Sequence, residues 1–259
     1  MDTHAHYDHK RFDKNRHSLL STFAEASIAA VINPAMSFAS NAKMREELKP
    51  YPWIYYGAGI HPNWVCEGDP DEDENRAQQL RVFARDCRTV AIGETGLDYY
   101  RVTEPAQQRR QKDWFCRQIF LAKEQKLPLI LHIRDADRDA VSILRTHAVS
   151  CTGVVHCFRG DFAAAKAYFD LGFLIGIGGS IAFPEETGFR EAVKQIPMES
   201  ILLETDAPFV RPRGYGGKSN TSMSLPIVVQ EIAALKGCSG EDVVKMTTNN
   251  AVRLFHIWK

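Results

Sequence analysis

Apolar residues in this chain come in short dense runs, separated by longer charged stretches in which they recur at helical spacing. The runs are AAVIN (Ala29 to Asn33), WIYYGAGIH (Trp53 to His61), TVAIGE (Thr89 to Glu94), PLILHI (Pro128 to Ile133), GVVHCF (Gly153 to Phe158), FLIGIGG (Phe173 to Gly179) and ILLETD (Ile201 to Asp206). Each is continuous rather than alternating, the pattern of a strand buried on both faces of a parallel sheet. Between them, stretches such as Gln107 to Gln125 place Trp114, Ile119, Phe120 and Leu121 among Arg, Lys and Asp, which predicts an amphipathic helix. With the opening DTHAH as a first strand, eight strands alternate with helices. That is the pattern of an α/β protein of the (β/α)8 TIM-barrel type. A doubly wound open sheet is the competing architecture, but no GxGxxG follows an early strand. A last helix, Gly240 to Phe255, is expected to pack outside the barrel.

Length agrees with a single barrel domain over residues 1–259, since α/β barrels use about 250 residues. Hydrophobic residues make up 44% and charged residues 25%, which excludes disordered and collagen-like chains. Lys plus Arg number 32 and Asp plus Glu number 32, so no excess of positive charge draws the protein to nucleic acid or anionic lipid from afar. The six cysteines form no CxxC pair, which fits free, packed thiols in a reducing compartment. No apolar segment reaches membrane-spanning length and no signal peptide opens the chain, so the expected location is cytoplasmic, away from membranes.

The chemistry lies at the ends of the apolar runs. His4 and His6, His61, Glu94, His132, His156 and Asp206 all fall there. In a parallel barrel those ends converge on one face, where barrel enzymes place their active sites. His4 and His6 are two apart on an extended segment, so both can point inward at one ion. Imidazole and carboxylate without cysteine form the ligand set of a catalytic divalent metal. The donors outnumber the needs of one tetrahedral ion, which points to two metals with Glu94 between them. Taken singly, an HxH near an N-terminus is often chance, and a lone histidine in VVHCF is more often a core residue; it is the set that is specific.

Six motifs in order, DTHAHYD, GIHP, IGETGLDYY, LPLILHIRDA, VVHCF and LLETDAPF, make the sequence similar to the TatD family of metal-dependent deoxyribonucleases, within the amidohydrolase-like barrels. The resemblance spans nearly the whole chain and implies a barrel of the metallo-dependent hydrolase type. It implies that His4, His6, Glu94 and Asp206 hold one ion and Glu94, His132 and His156 a second, giving two divalent ions per chain (Zn, Mg, Mn or Ni). Many amidohydrolase barrels bridge their metals with a carboxylated lysine; Glu94 at the matching position favours phosphoester chemistry. The expected reaction is hydrolysis of phosphodiester bonds in nucleic acid, most of all DNA, with Asp206 and Glu94 as catalytic residues and Asp206 taking the proton of the attacking water. The chain departs from the family in one segment, where many members carry Lys-x-Asn-Glu-Pro: it reads Lys218, Ser219, Asn220, Thr221, Ser222 and Met223, so the Lys and Asn are kept and the Glu-Pro is not.

For substrate contacts the expected residues are His61, Arg134, Lys218 and Tyr99, with Tyr100 and Phe158 able to stack on a base at a single-stranded end. Arg159, Arg211 and Arg213 are further phosphate candidates. The acidic run GDPDEDE (Gly68 to Glu74) reads as helix N-terminal charge that would repel a nearby phosphate chain. Gly176, Gly178 and Gly179 read as room for a substrate or water beside the backbone. His9, His17, His147 and His256 carry no motif. Two other functions fit the same residues: another hydrolysis on the same scaffold, such as deacylation of a D-aminoacyl-tRNA or of a small phosphoester, and non-catalytic metal binding.

Overall fold

The computed structural model describes residues 1–67 and 69–258. Seven parallel strands run in sequence order: β1 (Val31–Pro34), β2 (Ile54–Ala58), β3 (Thr89–Asp98), β4 (Leu129–Arg134), β5 (Gly153–Val155), β6 (Phe173–Ile177) and β7 (Ile201–Leu203). Each pairs only with its neighbours in the chain, and helices fill the connections, so the sheet curls into a TIM-type barrel. The strands are apolar because both faces are covered. Val31, Leu129, Leu131, Val155, Ile175 and Ile201 belong to the cluster shared with the helices, whereas Ile32, Ile130, Val154 and Leu202 belong to a second cluster on the alternate positions.

The eighth stave differs from the expectation. DTHAH is not a strand: it makes two isolated bridges, Asp2 with Val31 on one side and Ala5 with Ala207 on the other. The Asp2 N–H donates to Ala30 O while the Ala5 N–H donates to Ile32 O, so the segment advances three residues against two of its partner. That bulge breaks the ladder but leaves the segment between the two sheet edges. On the β7 side, Thr3 donates to Leu203 O, His6 to Ala207 O, and Asp206 to His4 O. The barrel therefore closes through the very residues that carry the HxH pair.

Asp2 is the buckle of that closure. Its fully buried carboxylate accepts from His4 N at 3.2 Å, Thr205 N at 3.1 Å, Thr205 Oγ1 at 2.7 Å and Ser222 Oγ at 2.6 Å. Asn220 holds the same loop by donating to Thr205 O at 2.7 Å and Val210 O at 3.2 Å. The segment that departs from the family pattern is thus a clamp around the start of the barrel.

The last helix, Gly240–Phe255, matches its expected bounds and packs outside the ring of strands, against the helix Leu225–Lys236 and β7, with its C-terminal end turned under the barrel. Its Ala251, Leu254 and Phe255, with Ile257, join the cluster of Ile32, Val90, Ile130, Val154 and Leu202. Those strand residues come from five staves, so the helix end closes the floor of the barrel opposite the strand C-termini. Among the described residues no helix is long and apolar enough to cross a membrane.

Replacing Asp2 with Ala leaves four donors around a buried site without their acceptor, each costing about 1–3 kcal/mol when unsatisfied. Urea denaturation of Asp2→Ala should show a loss of at least about 3 kcal/mol. A loss below about 1 kcal/mol would mean that the closure is held elsewhere.

Candidate metal centre

The strand C-terminal ends bring His4, His6, His61, Glu94, His132, His156 and Asp206 into one cluster, built around the carboxylate of Glu94. Glu94 lies on β3, and the neighbouring β2 end approaches its peptide closely. A Cβ at Gly59 would fall 2.2 Å from the carbonyl carbon of Gly93, so only glycine permits this contact in the GIHP motif.

The two oxygens of Glu94 face different partners. Oε2 lies 3.5 Å from His4 Nε2 and 3.5 Å from His6 Nε2. Oε1 lies 2.8 Å from His156 Nε2 and 2.9 Å from His132 Nδ1, with His61 Nε2 at 3.5 Å. On the first side, Asp206 Oδ1 is 3.4 Å from His6 Nε2 and 3.8 Å from His4 Nε2. His4 Nε2 and His6 Nε2 approach each other to 3.1 Å, and His132 Nδ1 approaches His156 Nε2 to 3.2 Å.

Nitrogens converging in this way on a shared carboxylate are the arrangement that metal ligands adopt. Glu94 Oε2 is buried with no hydrogen-bond partner among the described residues, a costly state for a charged atom unless a cation meets it. Divalent metal fits this donor set, and His4–His6–Glu94 and Glu94–His132–His156 each place one donor atom per residue within 4.8 Å of the others.

Neighbours determine which nitrogen each histidine presents. His6 Nδ1 sits 3.2 Å from Pro34 O, a contact it satisfies by donating, which leaves the Nε2 lone pair facing Glu94. His132 Nε2 sits 3.3 Å from Asp98 Oδ2 and, donating there, turns Nδ1 to the metal side. His61 is arranged oppositely. Its Nδ1 accepts from Asn63 N at 3.1 Å, so its proton is on Nε2 and points at the centre as a donor. His61 is thereby a hydrogen-bonding residue of the site rather than a ligand.

Asp98 and Glu204 are missed by the sequence reading. Both carry the signal used for the HxH pair: Asp98 lies four residues after Glu94 on β3, and Glu204 two before Asp206, spacings that return to the same face of an extended chain.

The expected outer contacts divide. Arg134 is exposed and stacks on Tyr100, its guanidinium carbon 3.8 Å from the ring centre. Lys218 is exposed on the loop after β7. Tyr99 does not face the mouth as a free ring, because its hydroxyl donates to Asp139 Oδ2 at 2.7 Å and ties it to the helix Asp137–His147 that follows β4. Phe158 is buried against Phe189 and presents no face to a base. Arg159 pairs with Glu186, Arg213 with Glu185, and Arg211 donates to Gly217 O. In the acidic run, Asp73 and Glu74 do open a helix, Asp73–Ala84, and pair with Arg110 and Arg117; Gly68 lies outside the described residues.

The family model for TatD related DNase matches residues 1–256. The chain belongs to the TatD family. It is 33% identical over 258 residues to the metal-dependent hydrolase YabD of Bacillus subtilis, covering 99% of each chain. Among solved structures, the TatD homologue YjjV of Escherichia coli superposes with a TM-score of 0.87 at 30% identity, over 99% of this chain and 97% of that one. The phosphotriesterase homology protein of Escherichia coli shares the barrel, with a TM-score of 0.63 at 15% identity over 98% and 97% of the two chains. This TatD-family chain is therefore a metal-dependent hydrolase with a barrel of that type.

The charges of the buried carboxylates and the imidazoles of the TatD centre shift one another. Burial works to raise the Glu94 carboxyl, but the imidazoles of His156, His61 and His132 outweigh it and hold it well below the usual range. Burial works to lower His6, yet Asp206 and Glu94 push it up to about 9. His132 is also pushed up to about 9, by Asp98 and Glu94 against its burial. Burial and the neighbouring His156 bring His4 down to about 4, and burial with His132 brings His61 down to about 3.

A metal must displace the protons on His6 and His132. At pH 7.5, below their raised values, zinc binding should release one proton from each. Release should shrink as the pH passes through about 9, where both are already neutral. Calorimetric titrations in buffers of different ionisation enthalpy measure this; release that does not change between pH 7 and 10 would contradict the assignment.

Proposed function

We propose that this TatD-family hydrolase cleaves phosphodiester bonds in nucleic acid, DNA foremost, using two divalent ions. The observation that carries this reading is the division of Glu94: one oxygen toward His4, His6 and the Asp206 side, the other toward His132 and His156. A carboxylate so placed serves two cations where a single ion would leave half of the donors idle. When bound, the ions would neutralise charge on phosphoryl oxygens and increase the acidity of water.

The chain's own residues supply the rest. Asp206 is the carboxylate of the cluster most open to solvent, 13% exposed against 2% for Glu94 and 1% for Asp98, so it is placed to accept the proton of an attacking water. His61 offers its Nε2–H to a phosphate oxygen.

Two cation–aromatic pairs support a nucleic-acid substrate. Arg134 and Tyr100 stand where β3 and β4 end. Phe209, after β7, has its ring centre 5.3 Å from that of His9, 5.5 Å from the Arg11 guanidinium and 6.0 Å from the ring of ligand candidate His6. Seven staves and the N-terminal segment order the barrel, so these pairs occupy opposite lips. Tyr100 is exposed and Phe209 half-buried, and rings beside guanidinium groups suit stacked bases and their phosphates. With formal charge zero, the protein is suited to a free single-stranded end rather than to long duplex.

The deciding assay offers single-stranded DNA labelled at either end, with a series of divalent ions, beside charged tRNA and small phosphoesters. Nucleotide release that stops on chelation is the expected result; deacylation of D-aminoacyl-tRNA without nucleotide release would replace the substrate assignment. Glu94→Gln keeps shape but loses the charge that serves two cations, so metal content and DNA cleavage should fall together, and a variant with normal content and rate would sink the bridging role.

Binding should weaken with salt only shallowly. On single strands each phosphate contact contributes about 0.7 to the slope of log affinity against log salt, so Arg134→Ala should lower the slope by about that amount. An unchanged slope would place Arg134 outside the binding path.

A further inference from the structure

Glu204 has no part in the chemistry above, yet its position is costly. It lies just past β7 and is fully buried. Its Oε1 accepts from the Cys157 backbone N–H at 2.5 Å, and its Oε2 is buried without a hydrogen-bond partner among the described residues. An apolar side chain of similar volume would pack here without the desolvation cost of a carboxylate.

The backbone beside it makes room for that carboxylate specifically. A Cβ at Gly176 on β6 would meet Glu204 Oε2 at 2.2 Å and the Cα of His156 at 3.1 Å. Gly176 therefore seats a side chain of the protein, while Gly179 lies against the backbone of Val210 and the ring of Pro212. Glycine inside a strand gives up packing and stiffness, so the site it frees is the feature being kept.

What Glu204 faces is the back of the metal centre. His156 Nδ1 lies 3.8 Å from Glu204 Oε1, and one donor atom each of His4, His156 and Glu204 lies within 4.8 Å of the others. His4 and His156 stack with ring centres 3.8 Å apart and planes at 11°. Both present Nε2 to the Glu94 side, and both have a buried Nδ1 without a partner among the described residues. Of the other two ligand histidines, His6 has Pro34 O behind it and His132 has Asp98. Ligand histidines almost always donate their second N–H to such an oxygen, which fixes the tautomer and the ring angle.

We propose that Glu204 is the positioning residue of His156, accepting its Nδ1–H so that Nε2 is held toward Glu94, and that it steadies His4 through the stacked ring. The Cys157 N–H, one residue beyond His156, pins the carboxylate to the same turn of chain. The inference rests on the metal-centre reading only in taking His156 as a ligand; the tautomer itself exists with or without metal.

The test uses the full chain labelled with ¹⁵N-histidine, metal-free and zinc-loaded. Long-range ¹H–¹⁵N spectra should show His156 protonated on Nδ1 in both forms, with the proton shifted downfield by its carboxylate partner. Zinc affinity, read by competition with a chromophoric chelator, should fall about 10- to 100-fold in Glu204→Gln. The melting temperature of the metal-free variant should be unchanged or higher, which separates positioning from a structural role. Gly176→Ala, whose Cβ would press on the carboxylate at 2.2 Å and on the His156 Cα at 3.1 Å, should lose affinity as well. His156 carrying its proton on Nε2, or Glu204→Gln keeping wild-type zinc affinity, would overturn the proposal. Should Glu204→Gln fail to fold, the wild-type spectra decide. Should zinc not bind the wild type at all, the metal-centre reading falls while the metal-free spectrum still decides the role of Glu204.

Discussion

The structure depends on keeping one carboxylate, that of Glu94, buried between imidazoles at the mouth of a barrel. A lone ionised carboxylate in that place would be strongly disfavoured, so everything around it supplies compensating charge or donors. His132 and His156 crowd one oxygen, while His4 and His6 stand 3.5 Å from the other. Without metal, protons on His6 and His132 balance the charge; with metal, cations would take over that balance. The same constraint explains why His6 and His132 are tethered from behind, by Pro34 O and Asp98, since ligands free to rotate would offer the wrong nitrogen.

Closure of the barrel and assembly of the site are one event. The segment bearing His4 and His6 is the stave between β1 and β7, and its bridges on either side are single. Asp2, Thr205 and Ser222 knot that stave to the end of β7, where Asp206 lies. Loss of the knot would separate ligands that belong to the same side of Glu94. The chain's Asn-Thr-Ser variation near residue 220 falls within this knot, with Ser222 bonding Asp2 and Asn220 holding the turn around Asp206.

Much of this was legible in the sequence, and the exceptions have a common cause. Strands β1 to β7 follow the apolar runs because parallel strands covered on both faces must be apolar throughout. The residues at their ends converge because strand direction is shared. DTHAH deviated because a bulge, which no hydropathy pattern records, breaks its ladder. Aromatic residues near a mouth carry no local sign of which are tied down, as Tyr99 is by Asp139 and Phe158 by Phe189. Asp2, Asp98 and Glu204 act across long sequence separations, Asp2 on Ser222 and Glu204 on Cys157, and such pairings are invisible without the fold.

The central claim is that Glu94 joins two ligand sets into one binuclear centre. Anomalous diffraction from crystals of the zinc-loaded protein, recorded on either side of the zinc edge, tests it most directly. Two peaks are expected, one among His4, His6, Asp206 and Glu94 Oε2, the other among His132, His156 and Glu94 Oε1. A single peak at full loading, or two peaks of which either lies out of reach of Glu94, would contradict it.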